Sequence, residues 1–146
     1  MNAKRYLQQV GKLNKLISNK IIEKEQWMGI AYGTGTFSEG ERVQSSGSQQ
    51  KMENAVCRYA DLEREIDECI DKYVDLRDEV IRTIEQLPTV EYDILHIIYI
   101  QEKELDDVAN IYGKSYSWAS STHGRAVKMV QDILNKREIE NGTFNE

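Results

Sequence analysis

The chain of 146 residues holds one proline, nine glycines and two cysteines. So little turn chemistry excludes the many short, tightly connected strands of an all-β fold. Cys57 and Cys69 are too few for a disulfide framework, and both fall in a charged helical pattern, so reduced thiols in a cytoplasm are expected. His96 and His123 add two more possible ligands, but the four residues have none of the short spacings of a zinc site. No metal and no other cofactor is expected. No apolar run approaches the roughly 20 residues of a membrane span. Residues 1–9 carry two bases without the apolar core of a signal peptide behind them.

What is present is a charged, helix-forming composition. Hydrophobic residues make up 40% and charged residues 30%, with a mean hydropathy of −0.62, which fits a water-soluble chain of about one domain. The net charge is −6, and a net-acidic chain is a poor non-specific DNA binder. The charge is unevenly spread. Residues 1–30 are basic, residues 51–87 acidic, and 88–113 set Lys103 against a run of acids; 114–137 set Lys114, Arg125, Lys128, Lys136 and Arg137 against Asp132. A local basic segment can therefore still form a docking surface.

Hydrophobic periodicity predicts an all-α fold. Over residues 3–31, Tyr6, Val10, Leu13, Ile17, Ile21 and Met28 mark one helical face, with the lysines largely elsewhere. Such a basic amphipathic helix can lie on a membrane; packing on its own chain is the expectation. Residues 32–50 lose all periodicity and are rich in glycine and serine, as a loop is; they contain no GxxxxGK[ST] phosphate-binding motif. Over 51–87, Met52, Tyr59, Ile66, Tyr73, Val80 and Leu87 recur every seven residues. Ala55, Leu62, Cys69 and Leu76 follow at the d positions, and Val56, Ile70 and Ile84 at the e positions. Residues 1–87 thus read as a helical hairpin or coiled-coil arm. Its second helix is longer than the first can cover, which implies a homo-oligomer through residues 51–87. Pro88 ends it.

Residues 88–140 form a second module, with 141–146 a frayed tail. A helix-turn-helix needs a small residue at the crossing, a residue that tolerates positive φ four positions later, and an apolar residue six beyond that. Ala109, Gly113 and Ala119 meet those spacings, and Ser115 is placed to cap the second helix. Exposed side chains early in the second helix are the ones that reach base edges. Here they are Tyr116, Ser117, Ser120 and Ser121, with Lys114, Arg125 and Lys128 as candidate phosphate contacts. Trp118 is expected to wedge against the preceding helix, and His96 and His123 to be structural. The acids of 61–79 and 102–107 read as solvated helix faces. No nucleophile or base is grouped with them, so no enzyme is expected.

Residues 87–134, with their leucine-proline turn, the segment LPTVEYDILHIIYI, the helix-turn-helix and the following RAVKMVQDIL, resemble region 4 of bacterial sigma factors. The N-terminal half, with NAKRYLQQV, ERVQSSGSQ and the acidic helix DLEREIDECIDKYVDLRDEVI, resembles a family of small phage and prophage proteins of low-GC Gram-positive bacteria that carry this module. The resemblance implies a phage-encoded DNA-binding transcription regulator, of late genes, acting in the cytoplasm of a bacterial host on double-stranded DNA. The chain departs from the family at Tyr116 and Ser117, where the family often has bases. It so lacks the guanidinium–guanine pairing that is the commonest specific contact. That departure, with the acidic faces, keeps open an alternative of another class: an acidic phage effector that binds and inhibits a host protein, such as RNA polymerase or another nucleic-acid-binding protein.

Overall fold

The structure, a computed structural model, describes residues 1–32 and 46–143. Among these, every regular element is helical: α1 (Ala3–Tyr32), α2 (Ser46–Ile84), α3 (Thr89–Leu95), α4 (Leu105–Tyr112) and α5 (Tyr116–Thr143). The all-α expectation holds. Among the described residues no helix is long and apolar enough to cross a membrane. Tyr32 closes α1 and Ser46–Gln50 open α2, so of the predicted loop 32–50 only 33–45 are left, outside the described residues; of the tail 141–146, residues 141–143 continue α5.

The chain divides into two compact units, Leu13–Lys72 and Met1–Lys12 with Tyr73–Glu146. In the first, Lys20 meets Glu65 at 2.8 Å and the Lys24 ammonium lies 5.7 Å from the centre of the Tyr59 ring, so the two helices run antiparallel. Ile17, Ala31, Ala55, Leu62 and Ile66 are buried. The predicted face of α1 needs correction here. Ile21 and Met28 are exposed, whereas Lys20 and Lys24 occupy the seam beside Ile17 and Ala31. A lysine stem covers apolar surface as well as an aliphatic side chain does when its ammonium finds a carboxylate or an aromatic face.

In the second unit, Val80, Ile84 and Leu87 are buried with Tyr6, Leu7, Val10, Leu95, Tyr99, Ala126 and Val130. The C-terminal part of the α2 stripe is thus covered within the chain, whereas Met52, Val56 and Ile70 are exposed. Helix α2 ends at Ile84, and Pro88 serves as the N-cap of α3. Beyond α3 the backbone widens into a π-helical turn over His96–Ile100, closed by Gln101 N–H donating to the His96 carbonyl at 2.9 Å. This run separates two clusters: Leu95, Tyr99 and Ile100 face the larger core, and Ile94 and Ile97 face Val108, Ala109 and Ala119. A run that is apolar except at His96 is what an element covered on both sides requires. Glu102, which follows, holds a left-handed φ of 58° without being glycine.

Candidate nucleic-acid interface

Two helices joined by a tight turn form around Ala109, Gly113 and Ala119. Helix α4 starts with Glu104 N–H donating to Asp107 Oδ2 at 2.9 Å and ends at Gly113, whose φ is 62°. Lys114 N–H reaches back to the Ala109 carbonyl at 2.9 Å, a Schellman closure. An added Cβ at Gly113 meets nothing within 4 Å, so glycine is required there by backbone conformation alone. Ser115 Oγ accepts the N–H of Trp118 at 3.1 Å and caps α5 as expected. Ala109 and Ala119 are buried in one cluster with Ile94, Ile97 and Val108. Their small side chains let α4 and α5 cross closely.

That crossing sets the rotation of α5. With Ala119, Thr122, Ala126 and Val130 turned inward, Lys114, Tyr116, Ser117, Ser120, Ser121, Arg125 and Lys128 are all solvent-exposed. Ser117, Ser120, Ser121 and Lys128 fall at spacings of three, four and seven, one continuous face. Trp118 is half-buried against α4, its ring 5.4 Å from that of Tyr112, as predicted.

Several ties hold this assembly, and sequence reasoning found none of them. The Tyr112 hydroxyl donates to Asp93 on α3; burial, then that carboxylate, push its pKa up to about 12. Arg125 reaches Glu91 with both Nε and Nη2 at 3.1 Å. The Glu91 side chain is only 11% exposed and that of Arg125 58%. Arg125 therefore anchors a nearly buried carboxylate while its outer face stays open to an anion. Tyr99 and His123 share a hydrogen bond of 2.7 Å from the phenol oxygen to Nε2, with their rings stacked. His96 bonds Gln101 through Nδ1. Among the described residues no cluster of histidine, cysteine, aspartate and glutamate is arranged to hold a metal ion.

His123 gives the unit a pH dependence of definite sign. Burial, and secondarily the positive charge of Lys4, lower its pKa from the ordinary 6.5. In the unfolded chain it protonates near 6.5; in the folded chain it resists until lower pH. Its contribution is thus present above about 6.5 and lost as pH falls from there through the folded value. Thermal melts between pH 5 and 8 should show a fall below about 6.5 that is smaller in His123→Gln. Equal pH profiles for the two proteins would remove His123 as the cause.

Compared with family models, curated proteins and solved structures, the chain matches none of the three.

Proposed function

We propose that the chain is a DNA-binding transcription regulator of the sigma region 4-like, phage-encoded kind, acting on late genes, with the first turns of α5 in the major groove of double-stranded DNA. The supporting observation is the α4–Gly113–α5 geometry, which turns Tyr116, Ser117, Ser120 and Ser121 to solvent as one set at the start of the helix. Serine hydroxyls bond to any base edge or to phosphate, and Tyr116 stacks or bonds to phosphate, so sequence preference from this set is soft. Lys114, Arg125 and Lys128 supply the positive charge that holds the backbone.

Fluorescence anisotropy with duplex fragments at two or more salt concentrations tests this reading. Lys128→Ala should weaken binding to all sequences alike and reduce the salt slope by about one, because one fewer counterion is released. Arg125→Ala should do the same and also lower stability by about 1–2 kcal/mol, because Glu91 loses its partner in a nearly buried position. Ser120→Ala or Ser121→Ala should change preference among sequences by about 1 kcal/mol and leave the slope alone. A Lys128→Ala protein with unchanged slope would refute the phosphate role.

One observation favours the second reading. The groove-facing set carries no cation, and Arg125 is already engaged by Glu91. A protein with such a surface suits an effector that binds a host RNA polymerase or another nucleic-acid-binding protein. Absence of duplex binding by the unaltered chain at about 50 mM salt would select it, since electrostatic attraction is strongest there.

A further inference from the structure

Arg125 offers more donors than Glu91 uses. A guanidinium carries five N–H groups that make two forks, a side edge of Nε with one Nη and an end edge of the two Nη nitrogens. The side edge is occupied: Nε donates to Glu91 Oε1 at 3.1 Å, and Nη2 lies 3.1 Å from the same oxygen. Nη1 and the second N–H of Nη2 make up the end edge. The Glu91 side chain is 11% exposed and that of Arg125 58%, so the occupied edge rests on α3 while the rest of the group stands in solvent. Arg125 lies one turn beyond Ser121 and three residues before Lys128, on the side of α5 that carries the exposed serines.

A phosphate diester presents two oxygens that match such a fork. An arginine side chain has many rotamers, and ordering it at the moment of binding costs affinity. The grip of Glu91 on the side edge restricts those rotamers beforehand. We infer that Glu91 is a positioning residue: it holds Arg125 by one edge and so presents the other to a backbone phosphate of double-stranded DNA. The inference rests on the DNA reading above and adds to it a residue from outside the recognition helix. It also reverses the sign expected of a carboxylate. A negative charge near bound DNA repels phosphate, so removing one ordinarily tightens binding. Removing the charge of Glu91 should loosen it.

The test is fluorescence anisotropy of a duplex fragment with the full chain, below the melting temperature of each variant. Glu91→Gln keeps the shape and one acceptor oxygen but loses the charge that grips Arg125, and should weaken binding by about threefold to tenfold. Asp132→Asn removes the same charge from an exposed position two turns further along α5, and should leave affinity unchanged or raise it. Arg125→Lys keeps the positive charge without the two edges and should weaken binding about as much as Glu91→Gln. Arg125 is exposed, so this variant reports independently if Glu91→Gln misfolds. In an Arg125→Ala background Glu91→Gln should no longer weaken binding. A weakening that persists there would show that Glu91 acts through the fold alone and would overturn the inference. Full affinity of Glu91→Gln or of Arg125→Lys would overturn it as well. These outcomes leave the DNA reading standing, whereas absence of duplex binding by the unaltered chain overturns both.

Discussion

Val130→Asp is expected to abolish the cooperative thermal transition of the unit formed by Met1–Lys12 and Tyr73–Glu146. Val130 is fully buried on α5, in the cluster that contains Tyr6, Leu7, Val10, Val80, Ile84 and Leu95. Asparate there either stays charged without a partner or takes up a proton against its ordinary pKa, and the valine's own packing is lost as well. The combined cost is about 3–5 kcal/mol or more, against a total stability of about 5–15 kcal/mol for a whole domain. Val130→Ala should retain a transition at lower temperature, and Lys136→Asp, on the exposed side of the same helix, should change stability by no more than about 0.5 kcal/mol. A cooperative near-UV melt of Val130→Asp close to that of the unaltered chain would contradict the described core.

Ala119→Leu is expected to destabilise less, and by a different route. Ala119 is fully buried where α4 crosses α5, among Ile94, Ile97, Val108 and Ala109. A leucine needs space that only displacement of α4 can provide, and overpacking of this kind costs about 1–3 kcal/mol. The functional loss should exceed the loss of stability. Moving α4 breaks the ring contact between Tyr112 and Trp118 and the tie from Tyr112 to Asp93, which fix the rotation of α5. If the proposed function holds, duplex affinity, measured well below the melting temperature, should therefore fall by at least tenfold. Unchanged affinity in a folded Ala119→Leu protein would show that the crossing does not set the reading face.

The turn between α4 and α5 was legible because its determinants are local. Ala109, Gly113 and Ala119 lie four and six residues apart, and each is chosen by steric conditions that a spacing rule expresses. The Ser115 cap is one step further along the same chain. The ties of the module were not legible. Glu91 meets Arg125 across 34 residues, Tyr99 meets His123 across 24 and Asp93 meets Tyr112 across 19. No period or motif joins such pairs. The face of α1 was misread for a related reason. Counting apolar residues places Ile21 and Met28 inward, yet the seam admits Lys20 and Lys24, because their fitness depends on Glu65 and Tyr59 of another helix. Composition likewise assigned Ser46–Gln50 to a loop, although the first turn of a helix accepts such residues readily.

Lys20, one of the two lysines in the hairpin seam, has a consequence for which pairings the two helices can adopt. A seven-residue repeat is in principle satisfied equally well by sliding one helix a whole repeat along the other. Lys20 makes those slipped alignments unequal. In the observed one it faces Glu65, and each partner shifts the other toward its charged form. Sliding α2 by seven residues one way brings Lys72 to that place, and the other way brings Arg58. Both are cations, so either slip exchanges an attraction for a repulsion inside the seam. One side chain, at a position that hydrophobic matching leaves degenerate, thus selects a single alignment from three.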